Sequence, residues 1–235
     1  WVADRGGRCG GSRRVMGIGL PLLQVLDVSQ FTAVIAHEFG HYYGGDTRLG
    51  PWIHKTRATI GRTLNNLSEG SAAAMQGPFR AYARMFMRVT QGVSREQEYT
   101  ADRFAATIAG REPVASSLKR LAGYTPGVMT YWDRLLLPAL SGGFRPPITA
   151  GMAQMVASEW ITKAAEIYTE AVIKEGKEDP FDTHPCLRDR VAALDGLPAG
   201  EPEDTTPAVS LLDDIRGVED KILTMYMPGK QIEKL

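Results

Sequence analysis

Apolar residues recur at helical spacing over most of the chain, and alternating strand-like runs are few. An apolar run from Val15 to Leu26 is broken by Gly17, Gly19 and Pro21, which fits a short strand followed by a turn or helical piece. Ser29 can cap a helix over 30–43 that stops at Gly44-Gly45. Ser94 and Gln97 form a capping box for a helix over 95–109, ended by Gly110. A longer helix fits 151–175, where Met152, Met155, Val156, Ile167 and Tyr168 keep helical spacing. Another starts at Pro185 and buries Leu187, Val191 and Leu194. Further helices fit 69–91, 113–122 and 208–226, with Pro/Gly-rich joints at 142–147 and 196–207. The pattern predicts a mainly α fold. Residues 1–14 are rich in Gly and Arg, have almost nothing to bury, and read as a flexible or added segment. Residues 15–235 read as one domain.

Composition narrows the function classes. The 235 residues hold 27 Lys+Arg and 27 Asp+Glu, so the formal net charge is zero. That balance offers neither the footprint of a nucleic-acid binder nor a polybasic membrane patch. Two cysteines, Cys9 and Cys186, cannot build a disulfide framework or a Cys-rich zinc site, and Cys186 reads as a helix residue that packs inside. The longest charge-free stretch, 146–158, is far short of the ~18 residues a membrane span needs. As given, the chain reads as soluble, with any membrane association left to other parts of a parent chain. Its first residue is Trp1 rather than methionine, as in a fragment or processed form, so no compartment is read from it.

Only four histidines are present, and two of them lie four residues apart in His37-Glu38-Phe39-Gly40-His41. This is an H-E-x-x-H motif on the best-defined helix. One turn separates the imidazoles, about 6 Å along the axis and roughly 40° around it, so both reach one tetrahedral metal. Glu38, about 100° round from His37, then stands beside the open coordination position. From Phe31 to Tyr43 no other ionisable group occurs except tyrosine, which predicts a helix buried on every side. Burying a carboxylate with two imidazoles is costly without a metal or hydrogen bonds. The competing reading is a core helix whose histidines are satisfied internally.

A third ligand must come from elsewhere. The extended H-E-x-x-H-x-x-G-x-x-H pattern fails at Thr47, which leaves a carboxylate on a later helix: Glu69, Glu96, Glu98 or Glu112. Glu98 shares a helix face with Ala101, Asp102, Ala105 and Ile108, while Glu96 and Arg103 fall on the opposite, solvated face. Small neighbours permit close approach of a second helix, and Asp102 could fix the tautomer of a ligating histidine. A surface acidic pair near a helix start is the competing reading. His184-Pro185 reads either as a helix end cap or as a donor to a developing oxyanion, and His54 as a surface residue.

The helix 37–41, the segment Ser94–Asp102 with Glu98, and Asp182-Thr183-His184-Pro185 with Arg190 occur in that order. Together they resemble the HtpX-like and CAAX-prenyl-protease family of zinc metalloendopeptidases, over roughly 15–195. The resemblance implies a helical zincin-type domain with a small edge strand or sheet beside the active-site helix. It implies one Zn2+ held by His37, His41 and Glu98, and Glu38 as catalytic base on the zinc-bound water. His184 would join Glu38 at the catalytic centre, with Asp102 and Arg190 in support. Val15, Met16, Gly17 and Ile18 would receive the backbone of a protein or peptide substrate. Many members of that family are integral membrane proteins, some with spans between the zinc helix and the third ligand. Arg57, Arg62, Arg80, Arg84 and Arg88 forbid such a span over 46–93. An alternative is a non-catalytic, zinc-bound adaptor or chaperone-like module, and a third is a metal-free helical scaffold carrying the motif by chance.

Overall fold

The computed structural model describes residues 2–6, 12–43, 73–176 and 184–226, together with positions 56, 59, 60, 62 and 63. The expected helix stop at Gly44-Gly45, His54, Cys9 and the Asp182-Thr183 pair lie outside them. Strands β1 (Val2–Gly6) and β2 (Ser12–Met16) pair antiparallel, with Val2 opposite Met16. Helices follow in the order α1 (Leu20–Val25), α2 (Val28–Tyr43), α3 (Ala73–Ala109) and α4 (Arg111–Tyr131). A π turn at Trp132–Leu136 leads into α5 (Leu137–Ser141), then α6 (Ile148–Ala157) and α7 (Glu159–Glu175). The chain closes with α8 (Leu187–Ala192), a 3-10 turn at Ala208–Leu211 and α9 (Ile215–Tyr226). The fold is mainly α. No helix among the described residues is long and apolar enough to cross a membrane.

Several boundaries differ from the sequence reading, each for a local reason. Residues 2–6 and 12–14, expected to be flexible, form a ladder, which backbone hydrogen bonds can hold without an apolar composition. Helix α2 is capped by Asp27 rather than Ser29. The Asp27 carboxylate accepts from Gln30 N at 2.7 Å, and Gln30 Oε1 accepts from Asp27 N at 3.3 Å, a reciprocal capping box. Ser29 instead accepts from Asp204 N at 2.7 Å, while Val28 N donates to Thr206 O at 2.9 Å, which ties the 204–208 segment across the start of α2.

The expected break at Ser94 is absent. Helix α3 runs unbroken for 37 residues because the Ser94 hydroxyl donates back to Thr90 O at 3.1 Å, the mid-helix use of serine rather than its capping use. Conversely, 151–175 is two helices. Ser158 adopts extended backbone (φ −68°, ψ 124°) and starts α7. The 113–122 helix extends to Tyr131 with Pro126 inside it, the Pro185 helix begins only at Leu187, and the 208–226 helix splits into the 3-10 turn and α9.

Three apolar clusters hold the elements together. Ala33 and Ala36 of α2 meet Ala105 and Ala106 of α3, Val114 of α4 and Leu194. Val25 and Leu26 pack with Tyr124 of α4 and Ala165 of α7. Leu20, Leu23, Leu136, Leu140, Ile148 and Leu223 join α1 to the C-terminal helices. In the last of these, buried Glu219 of α9 caps α6, accepting from Thr149 N at 2.6 Å and from the Thr149 hydroxyl.

Candidate metal centre

Alanine-on-alanine packing brings α2 and α3 unusually close. A Cβ placed on Gly40 would lie 2.7 Å from Ala101 Cα, so only glycine fits there. That approach sets the motif helix directly against Glu98 and Asp102, which are 5% and 1% exposed. Helix α2 is not buried all round as its composition suggests: Thr32 and Phe39 are exposed, while Ala33, Ala36 and Gly40 are buried toward α3 and Gln30 toward Ser116 of α4. On α3, Ala101 and Ala105 are buried as expected, whereas Ile108 is exposed. Glu96 and Arg103 pair at the surface at 2.9 Å.

Three side chains converge where the helices meet. His37 Nε2 lies 3.0 Å from His41 Nε2 and 3.5 Å from Glu98 Oε2, and His41 Nε2 lies 3.3 Å from Glu98 Oε1. Donor atoms at 2.0–2.1 Å on a tetrahedral zinc ion are separated by roughly 3.3 Å. The three spacings scatter about that value, so the donor set fits zinc. His37 Nδ1 lies 2.9 Å from Asp102 Oδ1, a contact bent from the ideal hydrogen-bond line. With the proton on that nitrogen, the Nε2 lone pair is turned toward His41 and Glu98.

Arg190 joins the cluster. Its Nε donates to Asp102 Oδ2 at 2.8 Å and its Nη2 to Asp102 Oδ1 at 2.7 Å, a two-pronged pair, and Nη1 lies 3.3 Å from Glu98 Oε2. Burial pushes the Asp102 carboxyl up, but the hydrogen bonds from Arg190 and His37 outweigh it and hold it below its ordinary value. Burial likewise works against ionised Glu98. Close polar contacts with His184 and His41, then the charges of His184 and Arg190, overcome that and keep Glu98 ionised far into acid.

His184 does not cap a helix: the N-cap of α8 is Cys186. Its Nδ1 instead lies 2.9 Å from Glu98 Oε2, with the ring about half exposed. Cys186 is half-buried rather than buried. Glu38 lines a cleft of about 470 Å3 that the end of β2 and the turn after it border through Met16, Gly17 and Ile18. Val15 lies in β2 just before that turn. The opposite wall of the cleft comes from Val128 and Met129 of α4, which sequence reasoning did not single out. Their one signal was an apolar pair at the end of a helix whose extent was underestimated.

The chain has counterparts among known proteins. The model of peptidase family M48 matches residues 9–197. The chain belongs to peptidase family M48. Relatives in that setting carry HtpX names, in agreement with the HtpX-like resemblance. "Protease HtpX homolog" of Chlorobium phaeobacteroides is 24% identical over 217 residues, covering 84% of this chain and 60% of its own length. "Protease HtpX" of Xylella fastidiosa is 24% identical over 200 residues, 77% of this chain and 58% of its own. A 56-residue stretch is 48% identical to "Protease HtpX homolog 1" of Saccharolobus solfataricus, covering 24% of this chain and 17% of that protein. The chain thus spans at most about 60% of the length of these curated relatives. No solved structure matches it. Among the described residues, the potential metal-holding group of this M48 chain is His37, His41 and Glu98.

Proposed function

We propose that this M48 chain is a zinc-dependent metalloendopeptidase that hydrolyses peptide bonds in protein or peptide substrates. The observation that carries the reading is the convergence of His37, His41 and Glu98 at zinc-ligand spacing, with Glu38, which follows His37 in the motif, lining an open cleft. Structural zinc sites are closed by four protein ligands and need no neighbouring base, whereas catalytic ones keep three ligands and an open position.

His37, His41 and Glu98 hold the metal, and Asp102, itself clamped by Arg190, keeps the His37 ring in the ligating tautomer. When bound, zinc supplies Lewis acidity, drawing the pKa of an adjoining water toward ~7 and polarising the scissile carbonyl. Glu38 accepts the proton of the attacking water and returns it to the leaving amine. The substrate backbone runs along Val15–Ile18, where strand pairing would hold it in extended form beside the cleft. His184, whose Nδ1 lies beside Glu98 Oε2 and whose ring is about half exposed, donates toward the oxyanion that develops on the carbonyl.

Cleavage of casein by the purified chain, measured with zinc and with a chelator, tests the reading. Activity should require zinc, vanish with the chelator and return on adding zinc back. Stoichiometric zinc with no cleavage of casein or of a peptide library would favour the adaptor alternative instead.

A further inference from the structure

Helix α3 contributes to the metal centre only from Glu98 onward, yet it starts 25 residues earlier, at Ala73. Residues 70–95 hold four arginines and no Asp, Glu or Lys, so a chain of zero formal charge carries a local excess of positive charge there. Helical period places Ala83 and Thr90 on one face, and both are buried. The opposite face is centred on Ala81, Met85 and Gly92, all exposed, with Met85 60% exposed. Tyr82 and Val93, 48% and 44% exposed, flank it on one side. Arg84 and Arg88, both exposed, flank it on the other, and exposed Arg80 lies one turn before Arg84. Half-buried Phe79 and Phe86 hold the Tyr82 ring from either side, with centroids 6.2 and 6.3 Å away.

We propose that residues 78–93 of α3 lie along the surface of a bilayer that contains anionic lipid, with Tyr82, Met85 and Val93 entering the interface and Arg80, Arg84 and Arg88 pairing with lipid phosphates. The proposal is independent of the peptidase reading. Charge complementarity selects the occupant. The three arginines recur every four residues, about 6 Å apart along the axis, with no carboxylate among them. Such a row matches an extended negative surface rather than a single acidic group. A second copy on the same face would set arginine against arginine. A polyanion such as nucleic acid would satisfy the arginines but lay phosphates beside Met85 and Val93. A bilayer suits both kinds of side chain, because arginine stems run along apolar surface while their heads reach the phosphates. Tyrosine fits the same depth, its ring apolar and its hydroxyl wet. The segment ends five residues before Glu98, about 8 Å along the axis of an unbroken helix, so binding holds the metal centre at the membrane surface.

The test is flotation of the purified, zinc-loaded chain with vesicles of equimolar phosphatidylcholine and phosphatidylglycerol, beside vesicles of phosphatidylcholine alone. The chain should float with the first and not with the second, and high salt should release it. Arg84→Gln combined with Arg88→Gln should weaken partitioning on the order of 25-fold, about fivefold for each charge removed. Met85→Glu should weaken it by about tenfold or more, whereas Met85→Leu keeps it. Arg103→Gln, on the same helix but beyond the segment and already paired with Glu96, should leave partitioning at the wild-type value. All these positions are exposed, and circular dichroism checks that each variant folds. Absence of flotation, equal flotation with both vesicle types, or flotation that the arginine pair or Met85→Glu leaves unchanged overturns the proposal. So does tighter binding to duplex DNA than to the anionic vesicles, which marks a polyanion site. A dimer in sedimentation that Met85→Glu dissociates, with no flotation of the wild type, assigns the face to a second copy instead.

Discussion

Asp102 gives both oxygens to Arg190 and one of them also to His37, so a single carboxylate links α3, the motif helix and α8. Replacing it with asparagine should weaken zinc binding about 10- to 100-fold, read by competition with a chromogenic chelator. The same change should destabilise the metal-free protein by about 3 kcal/mol at pH 7, because the Arg190 guanidinium loses its two-pronged partner while remaining largely buried. The pH dependence has a definite sign. Asp102 is held below its ordinary pKa, so its contribution is complete above the unfolded value of about 3.9 and is lost as pH falls through the folded value. Urea unfolding should therefore show a wide gap between wild type and Asp102→Asn at pH 7, narrowing below about pH 4. A gap that widens in acid contradicts the assignment.

At the scale of elements, the site depends on how closely α2 approaches α3. Gly40→Ala places a methyl group against the Ala101 backbone, and the helices must separate. The expected cost is about 1–3 kcal/mol, with weaker zinc binding because Glu98 moves from His37 and His41. Thermal unfolding and chelator competition on one preparation measure both effects. Asp27→Ala should cost about 1 kcal/mol without altering zinc affinity, since it removes a cap nearly three turns before His37. The contrast between these variants shows why parts of the fold were legible in the sequence. The meeting of His37 and His41 with Glu98 could be anticipated from helical period and small neighbours, because those rules are local. Ser94 met every local rule for a cap, yet the helix passes through it, because its hydroxyl found a partner one turn back. The cap at Asp27 was missed although Gln30 stands three residues on, and Ser158 broke a pattern whose apolar period gave no warning. Val128 and Met129 reach the cleft only through tertiary packing, which no local pattern encodes.

Across the whole molecule, the proposed ligands come from two helices far apart in sequence, and the supporting Arg190 comes from a third. Zinc should therefore stabilise the entire fold. With zinc free in 100-fold excess over its Kd, the gain is about 2.7 kcal/mol, seen as a zinc-dependent rise in Tm that Glu98→Ala abolishes. The balanced charge of the chain averages over positions and says nothing about the cleft. The most direct measurement for the account is a paired one on Glu38→Gln: zinc per chain by elemental analysis, and casein cleavage under the same conditions. The account predicts one zinc per chain, as in wild type, with turnover lost. Cleavage at the wild-type rate in that variant would contradict it.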